Sequence, residues 1–145
     1  METEKLERSC GAVVFRRAEG RVLYVVVQEM AGAYSYPKGH MEGNETERET
    51  AEREVFEEIG IRPDFIEGFT ARDEYELSER PGWCKRVTYF LSELGTQQLR
   101  PRPGEIRQVL ELPFEEALIL FRHESSRDIL RAADEFIRTR LPENT

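Results

Sequence analysis

Residues 39–61 read GHMEGNETERETAEREVFEEIGI, and this stretch decides what kind of fold the chain adopts. Glu54, Glu57 and Glu58 stand at offsets that share one face of a helix, where neighbouring Cβ atoms are about 5–6 Å apart. Three carboxylates at that spacing repel one another and weaken the helix unless positive charge lies between them. Because carboxylate oxygens are the preferred ligands of hard divalent cations, the spacing favours a metal-binding helix over an ordinary solvated acidic face.

The sequence also delimits this helix. Asn44 or Glu45 is expected to cap its start, and acidic residues crowd the first turn, where the helix dipole favours them. Gly60 is placed to end the helix in the left-handed conformation. A buried stripe recurs every four residues, at Ala51, Val55 and Ile59.

The remaining chain alternates strands and helices. β-branched and apolar runs predict strands at 10–15, 22–28, 65–77, 85–94 and 108–112, with the first two and the next two forming hairpins. Segments 31–45 and 97–105 are predicted loops. A helix opens at Pro113 and runs to about Phe121, and Ser125 or Ser126 caps a last helix. This order predicts an α/β fold, a mixed β-sheet sandwiched between helices (α/β/α), in one domain spanning 1–145.

Bulk properties exclude several classes of partner. The 145 residues carry a net charge of −8, which disfavours long nucleic acids and anionic membrane surfaces. No run is long and apolar enough to cross a membrane, and the charged start METEKLERSC does not resemble a secretory signal. Cys10 and Cys84 form no CxxC or Cys/His cluster, which favours free thiols in a reducing cytoplasm.

Residues 39–61 also match a known family pattern: Gly, five residues, Glu, seven residues, then Arg-Glu-apolar-any-Glu-Glu-any-Gly-apolar. Every fixed position is present, at Gly39, Glu45, Arg53, Glu54, Val55, Glu57, Glu58, Gly60 and Ile61. The chain therefore resembles the Nudix family. The resemblance implies the Nudix fold and metal-dependent hydrolysis of a nucleoside diphosphate linked to another group. Mg²⁺ is the expected cofactor, with Mn²⁺ as a substitute.

The resemblance further implies roles for individual residues. The expected metal ligands are the carboxylates of Glu54, Glu57 and Glu58, together with the backbone of Gly39. Arg53 is expected to orient Glu57 through a charge-assisted hydrogen bond. Two residues remain alternatives for the catalytic base: Glu105, from the loop before the C-terminal helices, and Glu54. Glu105 is also compatible with an ordinary exposed loop acid.

Three motifs outside this stretch resemble the diadenosine tetraphosphate hydrolases of animal and archaeal type within the family. They are Tyr36-Pro-Lys-Gly-His40, Cys10-Gly with Val13-Val-Phe-Arg-Arg17, and Lys85-Arg-Val-Thr-Tyr-Phe-Leu91. The resemblance implies asymmetric cleavage of diadenosine tetraphosphate to ATP and AMP. The substrate contacts it implies are Lys38, His40, Lys85, Tyr89 and Phe121. Tyr89 and Phe121 are also compatible with simple core packing.

Other functions remain open at this level. A nucleoside triphosphate pyrophosphohydrolase or an RNA 5′-end pyrophosphohydrolase uses the same chemistry on a different substrate. A non-catalytic nucleotide sensor is a third possibility, although such a protein is expected to lose metal-ligating carboxylates that this chain retains. The expected partner is a small nucleotide, and the expected assembly is a monomer or a homodimer.

Overall fold

The computed structural model describes residues 5–142, and its centre is a mixed β-sheet between two helical layers. This confirms the predicted α/β/α arrangement. The elements in chain order are β1 Leu6–Ala18, β2 Arg21–Glu29, β3 Tyr34–Ser35, β4 Lys38–His40, α1 Glu47–Ile59, β5 Ala71–Glu76, β6 Cys84–Glu93, β7 Ile106–Pro113, α2 Phe114–Leu120 and α3 Glu124–Arg140. No helix among these residues is long and apolar enough to span a membrane.

The sheet opens between β1 and β2, and this opening positions the site. The two strands form the predicted hairpin only from Phe15↔Tyr24 to the turn, and then diverge. β1 continues beside β6, in parallel, while β2 continues beside β7. The short strands β3 and β4 fill the opening: β3 pairs with the end of β2, and β4 pairs with β1 through Cys10↔Gly39. Beyond β6, β5 completes the second predicted hairpin.

Each face of the sheet buries its own apolar core. On one face, α1 contributes Ala51, Val55 and Ile59, which pack on Cys10, Ala12, Val14, Val25 and Val27 of β1 and β2. On the other face, α2 and α3 pack against Val13, Phe15, Tyr24, Val26, Val87, Tyr89 and Leu91. Alternation along β1 separates the two sets, because successive side chains of a strand point to opposite faces. The stripe predicted for α1 is confirmed.

Two of the predicted helix caps are wrong. Thr46, instead of Asn44 or Glu45, caps α1 in a reciprocal capping box with Glu49. α3 begins after His123 instead of Ser125 or Ser126. The predicted end of α1 is confirmed, since Gly60 has φ 78° and its N–H donates to the carbonyl of Phe56.

Two loop and strand boundaries also differ from prediction. The predicted loop 31–45 contains β3 and β4, because strands of two and three residues are too short to show a period in sequence. The predicted strand 65–77 is regular only at 71–76. Its first part follows an irregular path with a single bridge, Phe65↔Ser92, and there Phe65 packs into the α1-side core.

Candidate active site

β4 crosses α1 so closely that only glycine fits at its centre. A Cβ built on Gly39 would lie 1.9 Å from Oε1 of Glu54, well inside van der Waals contact. The Gly39 backbone therefore lies directly against the Glu54 carboxylate. The structure thus brings together two of the groups that the sequence assigns to the metal.

Arg53 organises the acidic groups around the start of α1. Its guanidinium donates two hydrogen bonds to Glu45, from Nε at 2.6 Å and Nη2 at 3.0 Å, and a third from Nη1 to Glu54 at 2.7 Å. Nη2 also donates to the carbonyl of His40 at 2.9 Å. The expected hydrogen bond to Glu57 is present but longer, at 3.5 Å from Nη1 to Oε2. Arg53 therefore holds Glu45 and Glu54 more firmly than Glu57.

Glu45 serves as the anchor for that guanidinium. It accepts a further hydrogen bond from the Thr50 hydroxyl at 2.7 Å. The hydrogen bonds from Arg53, and then that from Thr50, lower the pKa of Glu45 to about 2. The hydrogen bond to Glu45, and then that to Glu54, raise the pKa of Arg53 above its usual value. The pair is therefore ionised at any physiological pH.

Glu57 is shared with a second arginine that sequence reasoning missed. Arg102 Nη1 lies 3.4 Å from Glu57 Oε1 and 3.8 Å from Glu105 Oε1. The Arg102 backbone N–H also donates to the carbonyl of Glu58 at the end of α1, which fixes the loop there. Glu105, the candidate base, is thus linked to the carboxylate helix through one intervening side chain. All three side chains are partly exposed to solvent.

Glu58 is partly buried and lies beside the backbone of β4. It accepts a hydrogen bond from the Lys38 backbone N–H at 3.3 Å. Burial raises its pKa to about 7, although the positive charge of Lys38 acts in the opposite direction. Among residues 5–142, no arginine forms a salt bridge with this group, whereas Arg53 contacts Glu54 and Arg102 contacts Glu57. A cation at this position would stabilise its charged form.

The donor set fits a hard divalent cation. Within residues 5–142, no three acidic, histidine or cysteine side chains already stand in ligating positions, because the two arginines hold Glu54 and Glu57. The chemistry of the donors is nevertheless suitable: carboxylate oxygens from one helix face, beside a glycine backbone that leaves the approach clear. The residues that would hold the cation are Gly39, Glu54, Glu57 and Glu58.

A cleft of about 830 Å³ lies on the other side of β4. Because Gly39 faces α1, its neighbours Lys38 and His40 point to the opposite face of the strand, into this cleft. Four residues expected to contact substrate line it, namely Lys38, His40, Lys85 and Tyr89. Lys38 therefore contacts both sides of β4. Its backbone N–H donates to Glu58, and its side chain lines the cleft.

Lys38 and His40 of the cleft each have an acidic neighbour. Lys38 Nζ lies 3.7 Å from Glu29 Oε2, and His40 Nε2 lies 3.6 Å from Glu7 Oε1. Burial, followed by the nearby charge of Lys38, lowers the pKa of Lys85. Two lysines close enough to repel each other form a region that an anion would stabilise.

The expected aromatic contacts are mostly buried. Phe121 is 1% exposed and does not line the cleft; its ring centroid lies 4.7 Å from that of Tyr36. Tyr89 reaches the cleft wall, but it is only 5% exposed and contacts Tyr36 edge-on at 5.1 Å. A direct contact between Phe121 and a base therefore does not fit this structure, since Tyr36 covers the ring.

The NUDIX domain is the family model that matches this chain, over residues 5–133. The chain belongs to the Nudix family. Two mammalian relatives, from mouse and pig, are bis(5′-nucleosyl)-tetraphosphatases [asymmetrical]; each is 30% identical over 142 residues, covering 90% of this chain and 95% of the relative. The crystal structure of a C. elegans Ap4A hydrolase binary complex shares the fold, with a TM-score of 0.83 at 23% identity over 91% of this chain and 98% of that one.

This Nudix protein is therefore an enzyme, a hydrolase that acts on phosphoanhydride bonds of small nucleotides. Nudix hydrolases generally use divalent metals, in agreement with the donor set on α1. The expected family membership and reaction class are confirmed.

Sequence reasoning missed three residues that lie at the cleft or beside the carboxylate helix. Tyr75 is 45% exposed and lines the cleft, as does His123. The predicted hairpin contained a signal for Tyr75, because a turn centred on residue 80 places it opposite Lys85, as observed. No such signal existed for His123 or Arg102, whose positions depend on how loops cross the finished fold.

Proposed function

We propose that this Nudix hydrolase cleaves diadenosine tetraphosphate asymmetrically and releases ATP and AMP. The observation that carries the proposal is the division of the site by β4, with the carboxylates on one side and a nucleoside-sized cleft on the other. Lys38 connects the two sides. A substrate with a long phosphate chain between its nucleosides suits that separation, and the mouse and pig relatives are named for this activity.

In this proposal the α1 carboxylates bind the metal. Glu54, Glu57 and Glu58 would bind Mg²⁺, or Mn²⁺ as a substitute, with Gly39 contributing its backbone. Such a cation would supply positive charge to the phosphoryl oxygens and would lower the pKa of a bound water. Arg53 keeps Glu54 in place through its bond of 2.7 Å. On the cleft side, Lys38, His40 and Lys85 supply positive charge and donors to the remaining phosphates.

Glu105 is our choice for the base that accepts the proton of the attacking water. Glu54, the alternative, is already committed to Arg53 and lies against Gly39. Glu105 is more than half exposed and lies across Arg102 from Glu57. Glu105→Gln should lower kcat about 100-fold or more with little change in KM, the usual scale of general base catalysis. A kcat close to that of the wild type would contradict this assignment and indicate Glu54 as the general base.

Tyr75 is our choice for stacking on a base, because it offers an exposed aromatic face on the cleft and Tyr89 does not. Base stacking is worth about 1–3 kcal/mol, so Tyr75→Ala should raise KM at least about fivefold. Since stacking acts on the ground state and the transition state alike, kcat should change little. Tyr89→Ala is the comparison, and its main effect should be lower stability, because it removes a buried ring.

Product analysis tests the substrate assignment directly. Diadenosine tetraphosphate is incubated with the enzyme and Mg²⁺, and the nucleotides are separated by ion-exchange chromatography. ATP and AMP in equal amounts are expected. Two equivalents of ADP would contradict the asymmetric cleavage. Faster hydrolysis of a nucleoside triphosphate or of a 5′-triphosphorylated RNA in the same panel would assign the enzyme to another substrate.

A cytoplasmic location and a single domain over 1–145 belong to the same proposal. Both cysteines of the described chain, Cys10 and Cys84, are free, which suits a reducing compartment. Fractionation of cells that produce the tagged protein would test the location, and limited proteolysis would test for a second folded unit.

A further inference from the structure

One buried polar group has no partner in the protein. The hydroxyl of Ser9 is the only buried side-chain polar atom within residues 5–142 that makes no hydrogen bond, and Ser9 is 2% exposed. Buried hydroxyls are almost always satisfied, since leaving one unpaired disfavours the folded state. The Ser9 hydroxyl therefore has its donor and acceptor capacity free for a ligand that reaches it.

The position of Ser9 in the sheet indicates what that reason is. On β1 it belongs to the set with Val13 and Phe15, whose side chains face the cleft side of the sheet. Its neighbours across the sheet are His40 on β4 and Val87 on β6. Both of those residues line the cleft. The Ser9 hydroxyl thus lies beneath the cleft floor, between two of its lining residues.

Two lysines and one carboxylate, that of Glu7 at 3.6 Å from Nε2 of His40, surround that floor. Glu7, two residues before Ser9 on the same face, pairs in register with Lys85, and Gly11, two residues after, pairs with Lys38. The two lysines thus flank the Ser9 position along neighbouring strands. β4, which lies between the carboxylates and the cleft, is paired with β1 directly beside Ser9.

We propose that the Ser9 hydroxyl donates a hydrogen bond to a phosphate oxygen of the substrate on the cleft side of β4, between Lys38 and Lys85. Ser9 is then a binding residue for the phosphate chain, reached when the side chains above it adjust around the ligand. The inference depends on the proposed function only in taking the ligand to carry a phosphate chain. On this proposal, the unpaired hydroxyl lowers the stability of the free enzyme and contributes to phosphate binding.

The experiment compares Ser9→Ala with a matched serine variant. Ser92 is also fully buried on a strand, but its hydroxyl accepts a hydrogen bond from the Asp64 N–H at 3.2 Å. Binding of inorganic triphosphate with Mg²⁺ is measured by titration calorimetry, and melting temperatures are measured without ligand. Ser9→Ala should weaken binding about tenfold, the scale of a hydrogen bond to a charged group, with an unchanged or higher melting temperature. Ser92→Ala should bind normally and melt at a lower temperature.

Unchanged triphosphate affinity in Ser9→Ala would overturn the inference, and so would a lower melting temperature without a loss of affinity. Should Ser9→Ala fail to fold, Ser9→Cys keeps the side-chain connectivity with a larger atom and a weaker donor, and it should also weaken binding. Failure of the proposed function remains distinguishable. If the wild type does not form ATP and AMP from diadenosine tetraphosphate yet binds triphosphate through Ser9, only the substrate assignment fails.

Discussion

Replacing Gly39 by alanine should lower the activity of the enzyme and leave its folding stability almost unchanged. The new Cβ would lie 1.9 Å from Oε1, 2.0 Å from Cδ and 2.6 Å from Cγ of Glu54, where ordinary contact begins at 3.4 Å. All three atoms belong to one flexible side chain, so a rotation of Glu54 relieves the overlap and the backbone need not move. That rotation takes the carboxylate about 1.5 Å or more from its present position.

The expected loss follows from that displacement. Misplacing a catalytic group by about 1 Å can cost 100-fold in rate, so kcat should fall at least about 100-fold, or ~2.7 kcal/mol of barrier. The assay is steady-state hydrolysis of diadenosine tetraphosphate over a range of Mg²⁺ concentrations, and the metal requirement should rise as well. The melting temperature should stay within a few degrees of the wild type.

Gly11→Ala is the matched control, on the neighbouring strand β1 opposite Lys38. There the added Cβ would lie 2.0 Å from the carbonyl oxygen of Pro37, a backbone atom that also accepts a hydrogen bond from the Ala12 N–H. Overpacking against a fixed backbone costs about 1–3 kcal/mol, which corresponds to a fall of roughly 2–4 °C in melting temperature for each kcal/mol. A Gly39→Ala enzyme with near-wild-type kcat, or one that loses as much stability as Gly11→Ala, would refute the reasoning.

Four further outcomes are expected. Glu57→Gln and Glu58→Gln should each lower turnover at least about 100-fold, and near-wild-type rates in both would remove the metal assignment. Chelation by EDTA should abolish activity and leave the far-ultraviolet circular dichroism unchanged, because both cores are complete without a metal; added Mg²⁺ should restore turnover. Thr46→Ala breaks the capping box and should cost about 1 kcal/mol of stability at unchanged KM. Because the folded-state pKa of Glu45 is lowered to about 2, its contribution is fully present above its unfolded pKa of about 4.3 and is lost as the pH falls towards 2; acid titrations of Glu45→Gln should lack that component.

Local patterns in the sequence determined the elements and the reaction class. The recurrence of Ala51, Val55 and Ile59 identified the buried face of α1, and Gly60 marked its end, because both depend only on residues within a few positions. The carboxylates of Glu54, Glu57 and Glu58 could be placed on one face for the same reason. The hairpins were predicted from alternating apolar residues and turn residues. The register of the second hairpin places Tyr75 opposite Lys85.

Contacts between distant segments were decided only by the tertiary structure. Arg102 reaches Glu57 across 45 positions of sequence, and Tyr36 covers Phe121 across the cleft-side core; neither leaves a local signal. Arg53 prefers Glu45 and Glu54 to Glu57 because the loop before α1 folds back beside it.

The sequence by itself determined that three carboxylates share a helix face and that they require positive charge. The surroundings of these carboxylates depend on the opening of the sheet between β1 and β2. Because β4 fills this opening, its centre lies against the carboxylates and its flanking side chains enter the cleft. That division, with Ser9 beneath the cleft floor, arises from strand pairing across the sheet, which no short stretch of sequence specifies.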